Sequence, residues 1–469
     1  MAQPTLFLSI AETAARYRDG SITPRAVADL HLARIAEVEP RLNAFQIVDA
    51  AGAHALADAA TARWRAGHPL SPLDGIPITI KDNTDLAGHP TRNGSLVTSD
   101  APAEADAPVV ARLREAGAVF LGKTTTPEFG WKGITDSRLR GRTRNPWNPE
   151  RSPGGSSGGA AAALAAGIGT IAFGNDGGGS IRIPAAFSGV FGLKPTFGRV
   201  PHTPLEGFFA TVTSGGPLTR NVADAAAALA IMARPDDRDW YALPPPAADW
   251  LDGIGPSLAS LRLAYAPHLG GAKPDGAVLP VIAGAIAAIA RAGALVEEVG
   301  PVIMRLQPAF EAFWHASFGA RLNTIPRDQW HLIDPGYVAV GEKGLDAGLP
   351  PVLAGEKDRA RLHRELAVLF RDFDLLLTPT TPHAAPSAEA EYNPQGYDRW
   401  HDGVPYTLPF NLTGHPAASI PCGLTTEGMP VGLQIVGPRY AERAILEAAM
   451  AIEALLAFNP IREARMAAF

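Results

Sequence analysis

Residues 144–201 are the part of the chain richest in glycine, serine and proline, and they restrict the fold more than any other segment. Two glycine-rich turns, residues 153–159 and 174–180, each carry serine and each lead into a predicted helix. The strand-like residues 170–173 lie between them. Because glycine adopts positive φ and lets the backbone approach a ligand closely, the pattern predicts two tight loops at helix N-termini, connected through one strand.

The two turns differ in where their serines stand. Ser156 and Ser157 lie inside the first turn, before an alanine run that strongly favours helix, so free N–H groups and the helix dipole favour negative charge there. In the second turn three glycines precede Ser180 and can align backbone N–H groups into a nest for an oxyanion beside a nucleophile. A flexible loop is the alternative for the first turn, and a phosphate-binding loop or a plain turn for the second.

Lys81 ends a predicted strand that covers residues 76–81. Three isoleucines of this strand share one face by its two-residue period, and Lys81 points to the opposite face with Thr79. A lysine at such a place is commonly just solvated. If it is buried beside serines instead, desolvation lowers its pKa and the neutral amine can act as a base.

Helix-like and strand-like stretches alternate along the chain, which is typical of α/β proteins. Apolar residues at helical spacing predict an N-terminal helical region over about residues 1–60. Further predicted helices cover residues 107–116, 278–293, 356–370 and 443–456, and further predicted strands cover residues 118–121, 261–265, 375–377 and 432–436.

The composition excludes several classes of function. With 469 residues, of which 46% are hydrophobic and 19% charged, the chain is an ordinary globular protein. Its net charge of −6 and lack of a basic run disfavour a nucleic-acid partner. A single cysteine, Cys422, excludes an internal disulfide, and the histidines show no metal-ligand spacing.

No signal-peptide pattern or membrane-length apolar run is present, so we expect a cytoplasmic enzyme without a membrane partner.

Two competing motifs fail on physical grounds. Residues 117–124 match the Walker A pattern G-x-x-x-x-G-K-[ST], but the four intervening residues are apolar and strand-forming, whereas a phosphate cradle needs a loop. A Ser-His-Asp triad is disfavoured because neither serine turn is G-x-S-x-G. His383, His401 and His415 lie in proline-rich loops, and we interpret them as structural or pocket-lining residues.

Together these motifs resemble the amidase signature family. The matching segments are GIPITIKD (75–82), PGGSSGG (153–159), DGGGSIRIPA (176–185), FGLKPT (191–196), GGPLTR (215–220), NLTGHP (411–416) and PVGLQ (430–434). They cover nearly the whole chain in the family's order. The resemblance implies one large α/β domain over residues 1–469, with the N-terminal helical region packed on a mixed, mostly parallel central sheet that helices flank on both faces.

The resemblance further implies a Ser–Ser–Lys triad, in which Ser180 is the nucleophile, Lys81 is the base, and Ser156, held by an unusual cis peptide bond, is the bridge. The implied oxyanion hole consists of the backbone N–H groups of Gly177, Gly178, Gly179 and Ser180. The residues implied to support this network are Ser157, Asp176 and Arg182. Such a triad supplies its own nucleophile and base, so we expect neither a metal nor an organic cofactor.

Within the family, the chain resembles small-molecule amidases, aryl acylamidases and urethanases more than the glutaminase component of the tRNA-dependent amidotransferase. Residues 404–410 lack the acid that such glutaminase relatives carry before the N-L-x-G-x-P segment, and Ile183 stands where they tend to have glutamine. A non-catalytic binding protein on a retired amidase fold is a further alternative. The intact triad positions disfavour it.

Phe129, Gly130 and Trp131 fall where family members line the acyl channel, and we expect Tyr406 and Phe410 near its other side. An apolar channel favours hydrophobic small-molecule amides, with anilides, aryl esters and carbamates (urethanes) as further candidate substrates. We expect a monomer or a homodimer.

Overall fold

The computed structural model describes residues 5–202, 208–247, 250–300, 303, 307–390 and 400–457. The helices in these ranges are α1 (Ile10–Arg18), α2 (Pro24–Leu42), α3 (Ala50–Arg65), α4 (Pro108–Glu115), α5 (Gly158–Ala165), α6 (Arg182–Ser188), α7 (Val222–Met232), α8 (Leu279–Arg291), α9 (Gln307–Leu322), α10 (Pro335–Ala347), α11 (Pro350–Asp372), α12 (Leu408–Leu412) and α13 (Glu442–Leu456). The strands are β1 (Phe45–Val48), β2 (Pro77–Lys81), β3 (Val119–Thr124), β4 (Asp136–Ser137), β5 (Gly141–Arg142), β6 (Ile171–Asp176), β7 (Phe191–Lys194), β8 (Ser214–Thr219), β9 (Arg262–Tyr265), β10 (Leu295–Glu298), β11 (Leu375–Pro379), β12 (Ala417–Leu424) and β13 (Pro430–Val436).

One 11-stranded sheet organises the molecule, in the order β1-β3-β2-β6-β8-β7-β12-β13-β11-β9-β10. Strands β3, β2 and β6 run parallel to one another, as do β11, β9 and β10. The strands between these two groups pair antiparallel, and β1 is antiparallel to β3. The predicted single α/β domain with a mixed central sheet flanked by helices is therefore confirmed, and its parallel pairs are concentrated in two groups.

Strand β2 is buried on both of its faces. The predicted isoleucine face holds, since Ile76, Ile78 and Ile80 belong to one hydrophobic cluster with residues of α4 and α7. The opposite face carries Thr79 and Lys81, which are also fully buried because α5 lies against β2. A parallel strand covered by helices on both sides explains why this lysine is not solvated.

The two serine turns precede helices that are themselves buried. The alanines of α5 are small enough for this helix to fit between the sheet and the N-terminal helices, and Ala162 and Ala163 contact the cluster formed by α2 and α3. Helix α6 follows the second turn and packs on β7, β12 and β13. Both turns are thus fixed at the centre of the molecule.

Within the Walker-like residues 117–124, Val119–Thr124 form strand β3, so the predicted strand replaces a phosphate loop. Lys123, which a nucleotide site would use, is fully buried and its Nζ lies 3.0 Å from Asp82 Oδ1. This lysine is therefore part of an internal ion pair.

Candidate active site

Lys81 stands at the carboxyl end of β2 with its amine inside the protein. Its Nζ donates to Ser156 Oγ at 2.7 Å and to Asn175 Oδ1 at 2.8 Å. Burial lowers the pKa of the Lys81 amine to about 7, although the negative charge of Asp176 opposes this shift. Burial thus favours the neutral amine, which is the state in which it can accept a proton.

Ser156 lies in the first turn, and the peptide bond between Gly155 and Ser156 is cis. Gly130 packs directly against this serine, because a Cβ built on Gly130 would lie only 3.2 Å from Ser156 Oγ. Gly130 also has a φ of +71°, which most side chains avoid. Glycine is therefore favoured there by its backbone conformation, and a Cβ would also crowd Ser156 Oγ.

The second turn is held by Asp176, the last residue of β6. Asp176 Oδ1 accepts the N–H of Gly179 at 2.7 Å, and Oδ2 accepts the N–H of Ile181 at 3.1 Å. The Gly179 N–H is thereby committed to a carboxylate, which corrects its expected place in the oxyanion hole. The N–H groups of Gly177, Gly178 and Ser180 are the remaining candidate oxyanion donors.

Arg182, the first residue of α6, forms a bidentate pair with Asp176. Its Nε and one terminal nitrogen donate to the two carboxylate oxygens at 2.9 and 2.8 Å, and both side chains are fully buried. Further donations reach Gln434 Oε1 at 2.7 Å and Asn411 Oδ1 at 2.6 Å. Burial alone would raise the pKa of Asp176, but the guanidinium holds it well below its usual value.

The two turns contact each other through the backbone. The N–H of Ser157 donates to the carbonyl of Ser180 at 3.1 Å, and Ser157 Oγ donates to the carbonyl of Asn175 at 3.3 Å. Among the hydrogen bonds of the described residues, none joins Ser156 Oγ to Ser180 Oγ. The structure thus brings Lys81 and Ser156 into direct contact and places Ser180 on the adjoining turn.

Two polar residues behind Lys81 were not singled out by the sequence. Asn175 accepts from Lys81, and its Nδ2 lies 3.2 Å from Nε2 of His202. Both residues are buried. Asn175 immediately precedes Asp176 in the serine-turn motif, which is a signal that the sequence offers. His202 follows a loop far from the motif, and no local pattern marks it.

The three expected channel residues occupy different environments. Gly130 contacts Ser156. The Phe129 ring lies 5.1 Å from the Tyr337 ring and lines a cavity of about 720 Å³ with Arg321. Trp131 is only 1% exposed and sits against Gly336 of α10, so it is a core aromatic rather than an open channel wall. Phe129 and Gly130 are partly exposed, and the cavity beside Phe129 is lined by neither Ser156 nor Ser180.

A set of aromatic side chains instead covers the serine turn. Phe310 of α9 lies so close to Gly178 that a Cβ there would be 2.9 Å from its ring. Ring contacts continue from Phe310 to Trp314 at 5.0 Å, from Trp314 to Phe318 at 4.6 Å and from Phe318 to Tyr337 at 4.9 Å between centroids. We call this set, with Phe209 and Phe129, the aromatic band. Residues 310, 314 and 318 stand four apart in the sequence, which is a helical signal that could have revealed it.

The expected opposite wall is only partly present. The Tyr406 hydroxyl donates to the carbonyl of Pro267 at 2.6 Å, and Phe410 is fully buried in the core. Their neighbours Thr407 and Leu408 make the contacts with the turn, since Thr407 Oγ1 donates to the carbonyl of Gly178 at 2.7 Å.

The histidines that lie in proline-rich loops make local contacts. His383 Nδ1 lies 2.8 Å from the carbonyl of Ala384, and His415 Nδ1 lies 2.7 Å from Thr413 Oγ1. The side chain of His401 is outside the described residues. Across the described ranges, no group of three or more histidine, cysteine or acidic side chains is arranged to hold a metal ion. None of the described helices has both the length and the apolar character needed to cross a membrane.

Comparison with known proteins settles the family. The family model described as Amidase matches residues 26–334 and 337–446. The chain belongs to the amidase signature family. The predicted family is confirmed, and with it an amidase-type enzyme that hydrolyses C–N bonds.

Individual relatives cover almost the whole of this amidase. An acylamidase from Rhodococcus erythropolis is 35% identical over 465 residues, which span 96% of this chain and 95% of that protein. An indoleacetamide hydrolase from Bradyrhizobium diazoefficiens is 36% identical over 465 residues, which span 95% of this chain and 86% of that protein. The solved structure of a bacterial aryl acylamidase of the amidase signature family matches with a TM-score of 0.90 and 28% identity, covering 98% of this chain and 99% of that one.

A glutamyl-tRNA(Gln) amidotransferase component from Roseiflexus castenholzii is similar to the same extent. It is 36% identical over 469 residues, which span 94% of each protein. Sequence identity by itself therefore does not separate small-molecule amidases from glutaminases, and the substrate has to be argued from the residues around the serine turns.

The buried ion pair gives a first prediction. Asp176→Asn keeps the shape of the side chain but leaves Arg182 charged and without a carboxylate, so we expect the free energy of unfolding to fall by about 3–5 kcal/mol. Urea denaturation measures this loss. The control is Asp358→Asn in α11, whose pair with Arg361 is 39–43% exposed, and which should change stability by about 1 kcal/mol or less. Equal effects of the two substitutions would show that the internal pair has no special role.

Proposed function

We propose that this amidase hydrolyses uncharged, hydrophobic amides through an acyl-enzyme on Ser180, with Lys81 as base and Ser156 as proton relay. The supporting observation is the Lys81 amine, which is buried, lies 2.7 Å from Ser156 Oγ and has a pKa lowered to about 7. Its two hydrogen bonds go to neutral side chains. A lysine without an adjacent carboxylate can be neutral at physiological pH and act as a base.

Acylation begins when the neutral Lys81 amine takes the proton of the Ser156 hydroxyl as Ser156 takes that of Ser180. The Ser180 oxygen then attacks the amide carbonyl carbon, and the carbonyl oxygen becomes an oxyanion near the N–H groups of Gly177 and Gly178. The step needs a contact between the two serine hydroxyls, whose turns are joined by the hydrogen bond from the N–H of Ser157 to the carbonyl of Ser180. The serine alone is too weak a nucleophile without such a base.

Collapse of the tetrahedral intermediate breaks the C–N bond. The leaving nitrogen receives the proton that returns from Lys81 through Ser156, so the amine departs neutral and the acyl group stays on Ser180. A water molecule then repeats the attack with the same relay, which releases the carboxylic acid and restores the serine hydroxyl. The lysine is thus base in one half of each step and acid in the other.

The aromatic band supports an apolar acyl group as the preferred substrate. Phe310 and Phe209 both approach the glycines of the second turn. Phe310 is as buried as Trp131, whereas Phe209 and Phe129 are partly exposed, so these two members of the band are the candidate substrate contacts. Ile183 also packs onto Gly179, where glutaminase relatives tend to have glutamine. Anilides, aryl esters and carbamates fit the same proposal, because their carbonyl carbons undergo the same attack. The carbamate-derived enzyme intermediate is less electrophilic than an ordinary acyl-enzyme, so its hydrolysis should limit turnover.

Glutamine is the alternative substrate, since an amidotransferase component is among the relatives. A free amino acid brings a charged amine and a charged carboxylate into the site, and both need charged partners once water is removed. Residues 404–410, which approach the second turn, contain no acidic residue. The side chains nearest to Gly178 are those of Phe310 and Leu408, which are both apolar. These contacts favour an apolar substrate over glutamine.

Ser180→Ala should abolish hydrolysis of a chromogenic anilide, because no other group forms the acyl-enzyme. Lys81→Met should lose several orders of magnitude, since members of a triad act as a unit, and Ser156→Ala should be severe but less complete if water replaces its relay. Initial rates measure the loss of turnover. Mass spectrometry of the enzyme after treatment with a fluorophosphonate measures whether the serine is still labelled. His383→Gln and His415→Gln serve as controls and should retain labelling. Retained turnover in Ser180→Ala would rule out the mechanism.

The pH dependence of kcat/KM follows from Lys81. The reactive form is the neutral amine, whose fraction rises with pH, so kcat/KM should increase with pH, reach half its maximum near the Lys81 pKa of about 7 and level off above it. Rates between pH 5 and 9 with a neutral substrate measure the curve. A chelator should leave it unchanged. A rate that declines steadily from pH 6 to 9 is incompatible with a lysine base.

Substrate preference tests the aromatic band. Phe209→Leu removes the partly exposed ring nearest Gly177 while keeping an apolar residue, so the ratio of kcat/KM for an aryl-acyl anilide over an acetyl anilide should fall roughly tenfold. The matched control is Phe313→Leu, because Phe313 is buried and faces Arg359 of α11, so it should not change the ratio. Equal changes in both variants, or faster hydrolysis of glutamine than of any apolar amide, would contradict the proposed substrate class.

A further inference from the structure

We propose that Asn175 and His202 are positioning residues, which together orient the Lys81 amine so that its lone pair faces Ser156. This inference rests on the proposed function of Lys81 as a base and extends it to two residues behind the triad. It starts from three consecutive contacts, from Ser156 Oγ to Lys81 Nζ at 2.7 Å, from Lys81 Nζ to Asn175 Oδ1 at 2.8 Å, and from Asn175 Nδ2 to His202 Nε2 at 3.2 Å.

The geometry of a neutral amine makes orientation necessary. A neutral Lys81 has two N–H bonds and one lone pair, and free rotation about its last C–N bond would direct the lone pair toward Ser156 for only part of the time. Asn175 Oδ1 can only accept a hydrogen bond. It therefore accepts one N–H of Lys81, so the lone pair cannot point toward Asn175. The lone pair and the remaining N–H are left for Ser156: the charged amine donates to Ser156 Oγ, whereas in the neutral amine the lone pair accepts from Ser156 Oγ–H when that hydroxyl is the donor.

The amide of Asn175 must itself be held in one of two orientations. If it rotated by 180°, its NH2 group would face Lys81 and donate to the lone pair that the reaction needs. His202 prevents this, provided that its Nε2 carries no proton and accepts from Asn175 Nδ2. With Nε2 as acceptor, the neutral ring carries its proton on Nδ1.

The surroundings of His202 keep the ring neutral. Burial, with a contribution from the nearby Lys81 charge, lowers the pKa of His202 to about 4. The charged groups around the relay are Lys81, Asp176 at the end of β6, and Asp239, whose Oδ2 accepts the backbone N–H of His202 at 2.7 Å. Arg238 and Asp239 also line a cavity of about 190 Å³ that His202 borders.

His202 Nδ1 is buried and has no hydrogen-bond partner among the described residues. A buried polar atom without a partner costs stability, so an ordinary core position would not select it. The Nε2 contact with Asn175 gives the ring a role that offsets this cost.

The first test is Asn175→Asp, which preserves shape and replaces the amide by a carboxylate. A carboxylate beside Lys81 favours the ammonium form, so the rising limb of kcat/KM should move to higher pH by at least about one unit. Activity should then be low at pH 7 and recover toward the wild-type plateau at pH 9–10. A merely structural role would lower the rate at all pH values without moving the limb.

Asn175→Leu is the companion variant, because it keeps the volume and removes the acceptor. We expect kcat to fall about 10²-fold across the whole pH range with KM little changed, since a misdirected lone pair affects the chemical step rather than binding. Melting temperatures and circular dichroism establish that the variants are folded.

His202→Ala separates orientation from packing. Removal of the imidazole joins its space to the adjoining cavity of about 190 Å³, which leaves room for added imidazole. We expect kcat to drop at least about tenfold and to be restored by millimolar imidazole, more strongly as pH rises through about 7 and the added base becomes neutral. Imidazole should have no effect on the wild type or on Asn175→Leu, which has no amide to orient.

The outcomes distinguish a failure of the positioning role from a failure of the proposed function. If the wild type is labelled at Ser180 and hydrolyses amides but Asn175→Asp leaves the limb unmoved, the positioning role is wrong while the triad stands. Full activity of His202→Ala without imidazole overturns the part assigned to His202. If the wild type neither labels at Ser180 nor depends on Lys81, the proposed function itself fails.

Discussion

The buried pair between Asp176 and Arg182 is the constraint on which the rest of the site depends. Two full charges are removed from water, and they are tolerated because the carboxylate and the guanidinium are bidentate and their remaining sites are hydrogen-bonded. Through these bonds one pair fixes the turn that carries Ser180, the start of α6, and the side chains of Asn411 and Gln434. The turn that carries Ser180, the proposed nucleophile, is therefore positioned by electrostatics that span the sheet from β6 to β13.

Two buried lysines on neighbouring parallel strands show how the same residue serves two purposes. Lys123 on β3 has Asp82 at 3.0 Å, and this carboxylate opposes the lowering of its pKa by burial. Lys81 on β2 is equally buried but contacts only a hydroxyl and an amide oxygen. Without a close counter-charge, desolvation dominates and the neutral amine becomes accessible. A carboxylate in direct contact thus separates the ion-paired Lys123 from Lys81, the proposed base.

Sequence patterns predicted the parts of the molecule that local rules determine. The isoleucine alternation located β2, the apolar residues of the Walker-like segment located β3, and the glycine-rich turns located both serines. Contacts between distant segments could not be predicted in this way. Phe310 meets Gly178, and His202 meets Asn175, only because the fold brings α9 and a loop onto the turns. The hydrogen bond of Gly179 to Asp176 likewise depends on a backbone direction that composition does not specify.

The site has a polar side and an apolar side, and the proposed catalysis by Lys81 uses both. Behind Ser156 the groups are Lys81, Asn175 and His202, while Phe310 and Phe209 cover the turn that carries Ser180. In the proposed mechanism, an apolar substrate excludes water from the aromatic side, and this lowers the dielectric around an amine that has no carboxylate in direct contact. The proposed proton transfer to Lys81 then creates a positive charge while the oxyanion forms beside the second turn. The two charges offset each other inside the protein, which makes a neutral lysine an effective base for a neutral substrate.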